Sequence, residues 1–180
     1  NLFHSFGDFS LTATETALFQ TTTGIPDATI GNILGRVTSG NASTIFGTID
    51  SSSYYPGANL FLMNPNGIIF GPNAVINVGG MAHFTTADYL RLNDAVRFEA
   101  QPGGQDALLS TAALDAFGFL GSNPAAIAVE GSQLTVANGT GLSLVGGNHG
   151  FTYTNPDTGL PASVPDGMTM TGGSLSAPSG

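Results

Sequence analysis

Cysteine is absent from the 180 residues, which excludes disulfides and any thiolate metal or redox centre. That absence does not place the chain in the cytosol, because a secreted protein that crosses a membrane unfolded also avoids thiols that would lock premature structure. Lysine is missing as well, and Arg36, Arg91 and Arg97 are the only permanent cations. With a net charge of −9, an electrostatic grip on nucleic acid or anionic lipid is excluded. Charged residues make up only 8% of the chain, against roughly 25% in soluble domains generally. The few acids are scattered and read as solubilising groups. No apolar run approaches the roughly 18 residues of a membrane helix, so membrane insertion is not expected. No basic-then-apolar leader precedes Asn1, which puts any targeting segment outside this sequence.

What remains is apolar, small and neutral-polar. Hydrophobic residues reach 41% and glycine numbers 26, enough for one domain over residues 1–180 with a sizeable core. The apolar residues follow a period of two in very short runs. Ile127 and Val129, Leu134 and Val136, and Leu142 and Leu144 form three pairs separated by small or polar corners. A similar cadence runs through Ile68, Phe70, Ala74, Ile76, Val78, Ala82 and Phe84, and again through Met168, Met170, Leu175 and Ala177. GSQLTV and GGSLSA read as one rung seen a turn apart. Two inward residues per strand, returning after roughly 20 residues, fit a solenoid. A sandwich would want longer strands joined by reversing two-residue turns. The expected fold is all-β, a right-handed parallel β-helix with short side elements. Residues 106–117 carry some helix propensity but are closed by Gly118, Gly121 and Pro124, so they read as an excursion on the solenoid's side. Residues 149–167, with three prolines and four glycine or asparagine residues, break the cadence as an inserted loop or small hairpin.

One corner stands out. Asn64-Pro65-Asn66-Gly67 consists wholly of turn formers between apolar runs and predicts a type I β-turn. Asn at the first position can accept a hydrogen bond from the N–H two residues on, Pro fixes φ near −65°, and Gly tolerates the exit. Between stacked coils such an asparagine can also bond to the neighbouring rung.

NLFLMNPNGIIFGPNAVINVGG, residues 59–80, resembles the signature of the amino-terminal secretion domain of filamentous haemagglutinin-type exoproteins, the two-partner secretion (haemagglutination activity) domain. The opening NLFHSFGDFS, with His4 and Phe9, resembles that family's His-x-x-x-x-Phe segment, and residues 142–148 and 172–178 resemble its later coils. The resemblance implies a right-handed parallel β-helix that forms part of a much larger surface or secreted adhesin of a Gram-negative bacterium. It further implies passage through the periplasm, recognition by the POTRA modules of an Omp85-type outer-membrane transporter, and nucleation of a long β-helical passenger. Asn64, Pro65, Asn66 and Gly67 are then the structural signature and candidate partner-binding residues. No cofactor, metal or catalytic residue is implied, and a monomer is expected. Two features depart from the family pattern: further strands normally precede the His-containing segment, and the 149–167 insertion is unusual.

The competing reading is a carbohydrate-active or carbohydrate-binding β-helix. Such sites need clustered carboxylates with Arg or Lys nearby. Asp88, Asp94 and Glu99, with Arg91 and Arg97 among them, come closest, though mixed signs on one short segment suit solvated ion pairs. Asn148-His149-Gly150 lacks an accompanying carboxylate pair, and His149 reads as a loop residue. His4 and His83, beside Phe3 and Phe84, read as packed, hydrogen-bonded histidines. No Gly-x-Ser-x-Gly elbow or phosphate-loop lysine occurs. The sequons at Asn41 and Asn138 matter only in a eukaryotic source. A direct adhesin, binding host or surface glycans through Tyr54, Tyr55 and Tyr153 or through the full-length protein, is the third expectation.

Overall fold

The computed structural model describes residues 1–103 and 110–178. Strands are numbered in chain order. The first coil holds β1 (Leu2–Phe6), a single bridge at Leu11 and β2 (Thr16–Leu18). The second holds β3 (Asn32–Val37), β4 (Ser43–Ile45) and β5 (Thr48–Asp50), and the third β6 (Asn59–Met63), β7 (Ile68–Phe70) and β8 (Val75–Asn77). The fourth opens with β9 (Ala82–Thr85) and then leaves the column for β10 (Tyr89–Leu92), β11 (Arg97–Glu99) and β12 (Leu114–Gly118). It resumes with β13 (Ile127–Glu130) and β14 (Gln133–Thr135). The fifth opens with β15 (Leu142–Val145), leaves for β16 (Phe151–Thr154) and β17 (Pro161–Val164), and ends in β18 (Thr169–Thr171) and β19 (Ser174–Ser176).

Corresponding strands of successive coils pair in parallel. One face is the five-stranded sheet β1-β3-β6-β9-β15, the second runs β4-β7-β13-β18, and the third comprises β2-β5-β8 and β14-β19. Every coil-to-coil pair among the described strands is parallel, so the architecture is the parallel β-helix and not a sandwich. The rungs GSQLTV and GGSLSA do lie one turn apart, with Leu134 facing Leu175.

Register turns the period-two pattern into ladders. Leu2, Ile33, Leu60, Ala82 and Leu142 stack on the first face, and Ile45, Phe70, Val129 and Met170 on the second. Ile33, Leu60, Leu62, Ile68, Phe70 and Phe84 are fully enclosed, each worth about 1.5–3 kcal/mol of burial before entropy losses. The rings of Phe70 and Phe84 meet edge-on at 4.8 Å across the column.

Alternation also sends apolar residues outward, and the two excursions cover them. Strands β10, β11 and β12 form an antiparallel sheet whose Leu90, Leu92, Phe98 and Ala100 pack on the outward Leu34, Phe61 and Met63 of the first face. The expected excursion at 106–117 is therefore a strand from Leu114 onward; its segment 106–109 lies outside the described residues. The insertion at 149–167 is an antiparallel hairpin, with Phe151 opposite Val164 and Thr154 opposite Pro161. It packs Val164, Phe151 and Tyr153 over Ile69, Ala126 and Ala128 of the second face. The third face is bare, with Thr16, Leu18, Val75, Asn77, Gln133 and Thr135 exposed. No helix among the described residues is long and apolar enough to cross a membrane.

Candidate functional site: the Asn64–Gly67 corner

The corner joins β6 to β7 in the third coil and bonds to the coils on either side. Within it, the Gly67 N–H donates to the Asn64 carbonyl at 3.2 Å, closing the β-turn. The Asn66 N–H donates to Asn64 Oδ1 at 3.0 Å, the bond expected of asparagine at a first turn position. Toward the second coil, Asn64 Nδ2 donates to the Asn41 carbonyl at 3.0 Å and to Ser43 Oγ at 2.9 Å, and Asn66 Nδ2 donates to the Ser39 carbonyl at 2.8 Å. Toward the fourth, the Asn64 N–H donates to the Thr85 carbonyl at 2.9 Å. Asn64 is 0% exposed, and a buried amide is tolerable only with donors and acceptors matched in this way.

Gly67 has φ of +112°, where a side chain is strained. A Cβ there would lie 2.4 Å from the ring of Phe151. The inserted hairpin thus lies directly on the turn, a contact that nothing in the tetrapeptide announces. Pro65 and Asn66 instead border a hollow of about 250 Å³ that Asp88, Glu99 and Leu120 also line.

A second polar device was missed in the sequence. Asn32 Nδ2 donates to Asn1 Oδ1 at 2.8 Å, and Asn59 Nδ2 donates to Asn32 Oδ1 at 3.0 Å. The Met81 N–H ends this ladder on Asn59 Oδ1 at 2.9 Å, and Asn1 Nδ2 caps its other end on the carbonyls of Ser110 and Ala112. The available signal was the recurrence of Asn followed by two apolar residues at 1, 32 and 59, one at the start of each early rung.

Asp88, Asp94 and both arginines of the 88–99 segment are engaged by structural contacts. Asp88 Oδ2 accepts the N–H groups of Leu120 and Gly121, and Asp94 accepts Ser110 Oγ at 2.5 Å, which holds its carboxyl below the usual range. Arg91 pairs with Asp115, outside the segment, and Arg97 lies 4.1 Å over the Tyr89 ring. Arg36 is buried, donating to Ser5 Oγ and to the Glu99 carbonyl and lying 4.8 Å over Phe98. No group of three metal-ligating side chains occurs among the described residues.

The histidines are packed, but against other rings than their sequence neighbours. His83 stacks on Phe61 at 4.3 Å and 3°, with Phe117 of β12 beyond it, while His4 stacks on Phe6 and meets Phe19 edge-on. Hydrogen bonding does not follow the expectation throughout: His4 Nε2 and His83 Nδ1 are buried without a partner. Burial pushes both imidazoles below their ordinary value of 6.5. His149 is an exposed loop residue, its Nδ1 3.9 Å from Asp166 Oδ1.

The tyrosines do not form an exposed aromatic surface. Tyr55 is buried with its hydroxyl on the Gln20 carbonyl, and Tyr54 packs against the core. Tyr153 is half-buried in the hairpin contact, and burial, aided by the Glu130 charge, pushes its phenol up.

A family model described as the TPS secretion domain matches residues 1–179. No curated protein and no solved structure matches the chain. With the family model spanning the stacked coils and both excursions, the chain belongs to the TPS secretion domain family, the secretion domains of two-partner secreted proteins.

Proposed function

We propose that this chain is the non-enzymatic recognition and folding-nucleation domain of a large adhesin of a Gram-negative bacterium. In this reading, the POTRA modules of an Omp85-type transporter recognise it in the periplasm, and the passenger's β-helix grows on it at the cell surface. Residues 1–180 act as one unit, with Asn64, Pro65, Asn66 and Gly67 holding its third coil in register with the second and fourth.

The observation that carries this reading is coil-by-coil parallel pairing in a chain of the TPS secretion domain family, in which each rung offers its neighbour a backbone edge and an apolar interior. Leu60 and Leu62 of the third coil are each 1% exposed. Burial gained rung by rung biases the chain outward without nucleotide hydrolysis. Asp88 and Asp94, two of the three carboxylates that a sugar-cleaving reading would use, hold Leu120, Gly121, Val96 and Ser110 in place.

The test is export of a reporter passenger fused behind residues 1–180, with the cognate transporter co-expressed, against the passenger alone. Export of the fusion only is expected. Equal export of both overturns the reading.

A further inference from the structure

We propose that the β16–β17 hairpin is a strap that closes over the Gly67 side of the Asn64–Gly67 corner, so that a partner can engage that side only while the strap is undocked. The inference rests on the secretion reading and adds to it a built-in means of ending partner contact.

The hairpin runs along the outside of the second face, across the coils. At its base, Gly150 N–H donates to Asp166 Oδ1 and Ala126 N–H donates to the His149 carbonyl, both at 2.8 Å. Phe151 then lies on Gly67 in the third coil. Its tip reaches the first coil, where the Ala13 N–H donates to Asp157 Oδ1 at 2.8 Å. Between these anchors it does not seal. A groove of about 580 Å³, lined by Asp8, Ser10, Asn41 and Thr44 on one side and Tyr153 and Pro156 on the other, separates strap from coils. The apolar attachment is confined to Phe151, Tyr153 and Val164 on Ile69, Ala126 and Ala128.

A strap held at one small apolar patch, a long bond from the Tyr153 hydroxyl to Glu130 Oε2 at 3.5 Å and an exposed tip bond opens more readily than the second and third coils, whose inward side chains are enclosed. Opening uncovers the Gly67 side of the corner without unstacking a coil, because the bonds from Asn64 and Asn66 go to the second and fourth coils and not to the hairpin. Docking also joins residues far apart in sequence, which makes it a non-local step following rung formation.

Two variants test this. Replacing residues 151–164 by a two-residue turn removes the strap, since Phe151 and Val164 face each other across the hairpin. Ala13→Cys with Asp157→Cys locks it, in a chain with no other cysteine to mispair. The probe is the soluble periplasmic region of the cognate transporter. The strapless domain, folded, is expected to bind at least about tenfold more tightly than the folded native domain, and the oxidised locked domain more weakly than its reduced form. Equal binding by strapless, native and locked proteins overturns the strap while leaving the secretion reading intact. Absence of binding by all forms, the unfolded native chain included, overturns the secretion reading itself. Independently of any partner, Phe151→Ala should speed amide exchange at Asn66 and Gly67 about tenfold with β3 and β6 unchanged. Unchanged exchange at the corner also refutes the strap.

Discussion

Asn64→Ala offers the sharpest test of the corner. The substitution removes four side-chain hydrogen bonds, two donated by Nδ2 and two accepted by Oδ1. Their partners differ in what happens next. Asn41 is exposed, so its carbonyl can turn to water, and Asn66 Nδ2 keeps the Ser39 carbonyl. Ser43, however, is 0% exposed, and the Asn66 N–H faces the cavity left by the amide. Two stranded groups at about 1–3 kcal/mol each give a loss of about 3 kcal/mol, with little hydrophobic compensation from the alanine methyl. For a chain of this length that is a fall in Tm of about 6–12 °C. Urea titration followed by far-UV dichroism, with exposed Asn138→Ala as a control expected within about 0.5 kcal/mol, measures it. A loss below about 1 kcal/mol would refute the claim that the corner locks the coils, and export assays on the same variant would then have no structural reason to differ.

Gly67→Ala should cost about 2 kcal/mol through strain at φ of +112° and collision with Phe151, and Phe151→Ala should relieve only the collision. A double-mutant cycle in urea therefore expects a coupling of about 1 kcal/mol, and strict additivity would separate the two residues. Stability should be flat between pH 8 and 7 and fall as pH drops below about 6.5, because the unfolded chain takes up protons that buried His4 and His83 refuse. The carboxylates held low by hydrogen bonds, Asp8, Asp27 and Asp94, act in a lower window, with their stability lost as pH falls below about 3.8. Comparing urea midpoints at pH 7.5 and 5.5 isolates the histidines, and His4→Phe with His83→Phe should flatten the difference.

The rungs were legible because two inward residues per strand leave a local trace, and a ladder such as Leu134 on Leu175 needs only that trace repeated. The corner was legible for the same reason: its asparagine, proline and glycine each answer a local demand. What covers the column was not. Leu90 and Phe98 alternate like any half-buried strand, and nothing local says that their partners are Leu34 and Phe61 rather than another rung. Nor does Phe151 declare that it will rest on Gly67. His83 adjoins Phe84 in sequence, yet alternation sends the two to opposite sides of the sheet, and its stacking partner is Phe61 one coil away. The asparagine ladder falls between these cases, since its residues repeat but at spacings of 31 and then 27, too irregular for a period search.

The separation between local rungs and distant covers bears on why such a fold suits export. A column whose outer faces had to be sealed by each coil's own residues would need long coils, and the next rung would wait on each seal. Here the early coils carry short strands and leave Leu34, Phe61, Met63 and Ile69 uncovered, while the covers arrive from insertions in the fourth and fifth coils. Stacking can therefore run ahead on contacts between neighbouring coils, and the antiparallel sheet and the hairpin reach back afterward, as far as Ala13 in the case of Asp157. The covers fall on the outer sides of the first and second faces and do not lie across the stacking edge between coils. Lateral sealing and the stacking of rungs are assigned to different stretches of chain, and neither has to be undone for the other to proceed.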